Sequence, residues 1–239
     1  MMVQRLSIVF LLCLIGARGG PVLAAPFDPP PNSDAPSSTA GGGSRPANSS
    51  CTAEGPSGLK ATALAPQTFV GLTSQSAPIL WLHLPTSNDV EAIEFTIFDQ
   101  YLNDLYQFEI SNPNTRGLLP IDLSEHFDLS VEIPYYWTAS FICNPSRRIE
   151  DWVVGGWITY QPLSTNDQQA LQALEPLAQV NQYMNTGYWY DSFIVMQQLV
   201  ATEQALSGVE DAWNTLIKQA ELQLPWIDMT QTMGNQDVK

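Results

Sequence analysis

Positive charge is the scarcest property of this sequence. Only 9 of its 239 residues are lysine or arginine, against 24 that are aspartate or glutamate, and the formal net charge is −15. Nucleic acids and anionic membranes are bound mainly through lysine and arginine. The composition therefore argues against both as partners, and it predicts a chain whose negative charge keeps it soluble.

Motifs for catalysis and for metal binding are also lacking. His83 and His126 are the only histidines, and neither has a second ligand at helix or turn spacing, whereas zinc sites usually cluster their ligands. No Gly-x-Ser-x-Gly elbow occurs, and the glycine run at 41–43 follows no predicted strand. We therefore predict no metal, no cofactor and no enzyme activity, and we interpret His83, between Leu82 and Leu84, as a histidine of the sheet core.

Two groups of acidic residues are candidates for catalysis or for calcium binding. Glu150 and Asp151 are adjacent carboxylates, but a glycosidase needs two that face one cleft, so we interpret this pair as part of a solvated turn. Asp99, Asn103 and Asp104 offer the oxygen ligands that calcium prefers, at a spacing that matches no known loop. A hydrolase of unrecognised type is thus a weaker alternative for this chain.

Hydrophobic runs are short. No segment reaches the roughly 18 apolar residues that a transmembrane helix needs. The N-terminus instead has Arg5, an apolar run at 6–15 and the small-residue pattern 22–24, which is typical of a signal peptide cleaved after Ala24. We therefore predict an exported protein, periplasmic or extracellular, whose seven remaining basic and 24 acidic residues give a net charge of −17.

Cysteine is rare as well. Of the three cysteines, Cys13 leaves with the signal peptide, and Cys51 and Cys143 remain. Two cysteines in an exported chain are more often bridged than free, so we predict a Cys51–Cys143 disulfide. In the chain-entropy model such a bridge stabilises the fold by up to about 4 to 5 kcal/mol. It would tie down the entry to the folded region.

Composition and periodicity divide the chain into five parts. Residues 1–24 form the signal peptide, and 25–62 are a disordered tether rich in proline, serine and glycine. Residues 63–162 have the alternation of strands and 163–224 the period of helices, whereas 225–239 form a flexible tail. The sequence therefore predicts a mixed α+β protein.

The strand pattern is clearest from Pro134 to Cys143. Odd-numbered residues there are large and apolar and even-numbered ones more polar, which predicts a central antiparallel strand. About seven short strands in this region indicate a β-sandwich, and we predict an immunoglobulin-like topology for it. The predicted strands are 68–73, 78–84, 92–98, 105–110, 117–123, 131–143 and 151–161.

The helical part begins near Thr165, where Thr165 to Gln168 resemble a capping box. Pro176 is placed to start a second helix and Gly187 to stop it. The spacing beyond Gly187 resembles one tetratricopeptide hairpin, and a further helix runs from about Ser207 to Pro225. These helices are expected to pack on each other and on the sandwich.

Aromatic residues are the main candidates for a binding surface. Core packing is their commoner use, but Tyr136 and Trp157, on neighbouring predicted strands, are a possible platform for a sugar ring or a partner protein. Tyr183, Trp189 and Trp213 lie on the predicted helices. They indicate a groove that could take a segment of a protein partner.

Several motifs of this chain occur together in one known family. They are Leu64-Ala65-Pro66 after a cysteine, the strand Pro78 to Pro85, the run Tyr136 to Pro145, Gly156-Trp157-Ile158, and Gly187 to Ser192. Over residues 51–220 the chain resembles the cyanobacterial exported proteins grouped as domain of unknown function 928. The resemblance implies a cyanobacterial cell-envelope protein, and it brings no activity or catalytic residue. The chain departs from the family pattern at Ser192, where alanine is usual, and in its short C-terminus.

The function that these observations predict is an exported, non-enzymatic interaction module of the cell envelope that binds a protein partner. A glycan-binding accessory protein with an exposed aromatic strip is the alternative. Three features would distinguish the hypotheses: an exposed aromatic strip favours a glycan, an apolar interhelical groove a protein, and a deep acidic cleft an enzyme.

Overall fold

The fold is taken from a computed structural model. It describes residues 61–84, 90–111, 113, 117–201 and 208–222. The predicted signal peptide, most of the predicted tether, Cys51 and the predicted tail lie outside these residues.

Eight strands form two sheets in the described part of the chain. One sheet has five strands in the order β2-β8-β7-β4-β5, and the other has three in the order β1-β3-β6. The strands are β1 (Thr62–Leu64), β2 (Gly71–Thr73), β3 (Ile79–Leu84), β4 (Ala92–Phe98), β5 (Asp104–Ser111), β6 (Gly117–Asp122), β7 (Pro134–Ile142) and β8 (Trp152–Tyr160).

Strand β7 lies in the middle of the five-stranded sheet, between β4 and β8. The prediction of a central strand is therefore confirmed. Its odd-numbered side chains are buried, as their alternation predicts. Pro134 is the first residue of β7, where a missing N–H is tolerated. The strand is shorter than predicted, since Val131 makes only an isolated bridge to Tyr160.

Most predicted strand pairs are present. Strands β4 and β5 form the expected antiparallel hairpin, and β7 pairs antiparallel with β8. Two features were not predicted: β1, and the parallel pairing of β2 with β8. Each of these strands is only three residues long.

Four helices follow the strands. They are α1 (Thr165–Gln172), α2 (Pro176–Asn185), α3 (Trp189–Ala201) and α4 (Val209–Gln219). The N-cap of α1 is Ser164, whose Oγ accepts from the Asp167 amide at 3.2 Å and donates to its carboxylate at 2.6 Å. The cap therefore lies one residue earlier than predicted. Pro176 lies in the first turn of α2, as expected.

Sheets and helices share one hydrophobic core. The same buried cluster contains side chains of both sheets, of α2, of α3 and of α4. Trp81 of β3 and Phe193 of α3, for example, have ring centroids 6.0 Å apart. The mixed α+β class is thus confirmed, whereas the immunoglobulin-like topology and the tetratricopeptide-like hairpin stay predictions. None of the described helices is long and apolar enough to cross a membrane.

Candidate functional site

The candidate binding surface is the face of the five-stranded sheet that carries Tyr136, opposite the face that carries Trp137. We call it the outer face. Tyr136 is directly paired with Phe98 of β4 and with Trp157 of β8, so the three side chains lie on one side of the sheet. Their rings form a row, with centroids 6.2 Å apart for Phe98 and Tyr136 and 5.1 Å for Tyr136 and Trp157.

The members of this row differ in exposure. Trp157 is only 2% exposed, whereas Tyr136 and Phe98 are half-buried. Trp157 is therefore not an accessible part of the predicted platform, and it supports the Tyr136 ring from the side. Burial raises the pKa of the Tyr136 hydroxyl above its ordinary value of 10.0, so this hydroxyl stays protonated at neutral pH.

Hydrogen-bonding side chains lie beside the aromatic row on the outer face, together with the exposed Val153, which is directly paired with Ser140. Thr96 pairs with Thr138, and Glu94 pairs with Ser140, in the rows next to the aromatic one. The side-chain amide of Gln107 donates to Oγ1 of Thr96 at 3.3 Å. The outer face thus combines the partly exposed ring of Tyr136 with hydroxyl, amide and carboxylate groups.

The loop between β7 and β8 is held by ion pairs. Arg147 pairs with Glu150, and Arg148 pairs with Asp151 and, at 2.9 Å, with Glu94. The interpretation of Glu150 and Asp151 as a solvated turn is therefore wrong, because Glu150 is only 6% exposed. Burial raises the pKa of Asp151, and its hydrogen bond from Arg148 opposes that rise.

One apolar side chain projects from this braced loop. Ile149 lies between the two arginines, in the 3-10 turn Arg148–Glu150, and is 85% exposed. It is the most exposed large hydrophobic residue in the described part of the chain. The turn therefore holds an isoleucine in water beside Arg147 and Arg148.

The predicted helical groove is filled at two of its three residues. Trp189 and Trp213 are each 1% exposed, and Phe193 packs on both, with ring centroids 5.7 and 5.8 Å away. Only Tyr183 is half-buried, with its ring 6.2 Å from that of Tyr188. The two tryptophans are therefore core residues and do not line an open groove.

The other candidate residues have local structural roles. His83 is 5% exposed within β3, which agrees with a sheet-core histidine. Asp99 accepts from the amides of Tyr101 and Asn103 at 2.8 and 2.9 Å and from the Asn103 side chain at 2.8 Å. These bonds lower the pKa of Asp99, that from the Asn103 side chain most. Both carboxylate oxygens thus serve the β4–β5 turn, which argues against calcium there.

An aromatic cluster around His126 was not predicted from the sequence. The His126 ring stacks on Phe108 with centroids 3.9 Å apart and planes 2° apart, and its Nδ1 lies 3.2 Å from the hydroxyl of Tyr106. No periodic pattern includes His126, because it lies in the connection between β6 and β7. Among the described residues, no group of three or more His, Cys, Asp or Glu side chains is arranged to hold a metal ion.

Comparison with known proteins identifies the family. The family model described as Domain of Unknown Function (DUF928) matches residues 40–231. The chain belongs to this family. No curated protein matches the chain. The predicted resemblance is confirmed, and membership in DUF928 leaves the function to be argued from the surface.

Proposed function

We propose that this DUF928 protein is an exported, non-enzymatic binding module of the cell envelope, and that its ligand surface is the outer face around Tyr136. Export is supported by the signal-peptide pattern of residues 1–24. We do not propose a catalytic function, because the adjacent carboxylates of Glu150 and Asp151 are each paired with an arginine. We do not propose a binding groove between the helices, because Trp189 and Trp213 fill the interhelical core.

The ligand class that this surface fits best is a polysaccharide. A sugar ring presents an apolar C–H face to an aromatic ring and hydroxyl groups to polar side chains. The half-buried Tyr136 ring, with Thr138 and Ser140 on the same face, meets both needs. This combination of groups on one sheet face is the observation that carries the proposal.

Charge narrows the ligand further. The exported chain has a net charge of −17, and Arg148 on the rim of the outer face is engaged with Glu94 and Asp151. An anionic polysaccharide would meet electrostatic repulsion over most of the surface. We therefore expect a neutral polysaccharide to bind more tightly than an anionic one.

Isothermal titration tests the proposal. The signal-free chain is titrated with neutral and with anionic envelope polysaccharides, as wild type and as Tyr136→Ala. Loss of the ring is expected to weaken binding about fivefold, since one aromatic contact contributes on the order of 1 kcal/mol. Tyr136→Phe keeps the ring and should bind nearly as well as wild type.

The matched control is Tyr101→Ala. Tyr101 is 76% exposed in the β4–β5 turn, so its removal deletes an accessible aromatic ring that is not part of the row. It should leave the affinity unchanged. Equal affinities for wild type and Tyr136→Ala, or no binding heat with any neutral polysaccharide, would remove the glycan proposal.

A protein partner is the second candidate, favoured by Ile149. An apolar side chain that a braced loop holds in water is suited to enter a pocket of a partner. Affinity capture from envelope extract with wild type, Ile149→Ser and Val153→Ser distinguishes this reading, because Val153 is also exposed, at 48%. A protein retained by wild type and Val153→Ser but lost with Ile149→Ser supports it; identical captures by all three contradict it.

A further inference from the structure

The edges of the two sheets differ in how they are protected. Edge strands expose unpaired backbone groups, and proteins usually guard them by shortness, proline or coverage. Strands β1 and β2 have only three residues each, and the amide of Leu72 in β2 donates to the carbonyl of Gly187 at 3.0 Å. Strand β6 contains Pro120, which cannot donate to a further strand.

Strand β5 is the exception among the described strands. It has eight residues, lies at the end of the five-stranded sheet and pairs there with β4 alone. It contains neither proline nor lysine, and the register with β4 is irregular only near Asp104, opposite Phe98. Residues 105–111 thus form a regular edge. Every second residue there directs its backbone N–H and C=O groups away from β4, where a further strand could pair with them.

The core-facing side chains of β5 are incompletely covered. Their cross-strand partners on β4 are fully buried, whereas the β5 side chains are only half-buried. The three pairs are Tyr106 with Ile97, Phe108 with Phe95, and Ile110 with Ile93. A further strand beside β5 would bury apolar surface and satisfy backbone groups at the same time.

We propose that β5 pairs with β5 of a second copy of this chain, antiparallel about a two-fold axis at Phe108, so that the five-stranded sheets of both copies become continuous. A two-fold interface must be complementary to itself. In a continuous sheet, directly opposite residues of the two β5 strands must project to the same face. The two-fold axis therefore has to lie level with a residue of β5 and not midway between two successive residues.

Charge selects which residue lies on the axis. With the axis at Phe108, Gln107 faces Glu109 of the other copy, and Tyr106 faces Ile110 of the other copy. An axis at Glu109 would place two carboxylates opposite each other, which is destabilising. An axis at Gln107 would set Glu109 against Leu105. The register at Phe108 alone gives the charged side chain an amide partner.

The net charge of the chain predicts how the dimer responds to salt. Two copies of the signal-free chain, each with a net charge of −17, repel each other over distances that salt screens. Apart from the contact of Gln107 with Glu109, the contacts between the strands are apolar and backbone contacts, which salt does not weaken. The dimer is therefore expected to be tighter in high salt than in low salt.

Analytical ultracentrifugation of the signal-free chain over a range of concentrations measures the dissociation constant of the dimer. The wild type is compared with Gln107→Glu, Glu109→Gln and the double variant. Gln107→Glu sets two carboxylates opposite each other at two symmetric places. It should weaken the dimer by about tenfold, since each such contact costs up to about 1 kcal/mol. The double variant, Gln107→Glu with Glu109→Gln, keeps the wild-type net charge and again places one carboxylate opposite one amide. It should therefore restore wild-type dimerisation.

Circular dichroism of each variant controls for folding, and the exposure of Gln107 and Glu109 makes loss of the monomer fold unexpected. A wild-type chain that stays monomeric at high concentration in high salt overturns the proposal. A double variant that dissociates as readily as Gln107→Glu overturns the register at Phe108.

Discussion

The hydroxyl of Tyr190 accepts a hydrogen bond from the indole Nε1 of Trp137 at 3.1 Å, although Tyr190 lies on α3 and Trp137 on β7. The same hydroxyl donates to the carbonyl of Trp157 at 3.0 Å. Burial raises the pKa of Tyr190 well above its ordinary value, so the proton stays available for that bond. One hydroxyl thereby joins the first turn of α3 to two neighbouring strands.

Tyr190→Phe is expected to destabilise the protein by about 1 to 3 kcal/mol, because it leaves the buried indole N–H of Trp137 without its acceptor. Urea unfolding at neutral pH measures the loss. Tyr188→Phe is the matched control, since Tyr188 is also buried and its hydroxyl makes no side-chain hydrogen bond among the described residues. Equal stabilities of the two variants would contradict the role of the Tyr190 hydroxyl.

Gly156 of β8 lies so close to Ala65 that a larger residue at this position is expected to destabilise the protein. A Cβ atom at this position would lie 2.4 Å from the Cβ of Ala65 and 3.4 Å from the hydroxyl of Tyr190. Gly156→Ala should therefore cost about 1 to 3 kcal/mol in unfolding free energy, as overpacking usually does. Adding Ala65→Gly removes the closest contact and should recover part of the loss. A double variant less stable than Gly156→Ala would show that this contact is not the cause.

Local periodicity predicted the elements that local chemistry determines. The alternation in β7, proline in the first turn of α2, and Gly187 between α2 and α3 each indicated the element that the structure has there. Gly187 has a φ of 83°, a conformation that glycine adopts without strain. Such residues report on their own backbone, and for that reason the sequence alone reveals them.

Features that depend on distant residues were not predictable. Strand β1 has only three residues, too few for a period, and it exists because β3 is beside it. Strand β2 lies within the predicted strand 68–73, but no local pattern indicates its parallel pairing with β8. Alternation placed Trp157 on the face of Tyr136, but it could not show that Trp157 is covered. Likewise, no spacing indicates that Arg148 reaches Glu94, which is 54 residues away in the chain.

The predicted Cys51–Cys143 disulfide is testable by thiol counting. Cys143 directly follows β7, whereas Cys51 lies outside the described residues. The exported chain, denatured without reductant, should show no free thiol, and two should appear after reduction. Reduction is expected to lower the unfolding free energy by up to about 4 to 5 kcal/mol. Two free thiols before reduction would refute the bridge.

Asp191 is expected to make the stability of the protein depend on pH. This carboxylate on α3 is 5% exposed, and it accepts hydrogen bonds from the amide of Ser74, at 2.9 Å, and from the Ser74 hydroxyl. Burial raises its pKa above the ordinary 3.8, and the hydrogen bonds from Ser74 only partly oppose that rise. The folded state therefore holds the Asp191 proton more tightly than the unfolded state does.

The sign of the pH effect follows from that difference. The contribution of Asp191 to stability is fully present below pH 3.8, and it is lost as the pH rises through the raised pKa of the folded state. Asp191→Asn cannot titrate, so its unfolding free energy should decline less than that of wild type between about pH 4 and about pH 7. Urea midpoints across this range measure the difference. Glu210→Gln, at an exposed position of α4, removes the same charge and should keep the wild-type decline. If Asp191→Asn declines as steeply as wild type does, the buried carboxylate is not the source of the pH dependence.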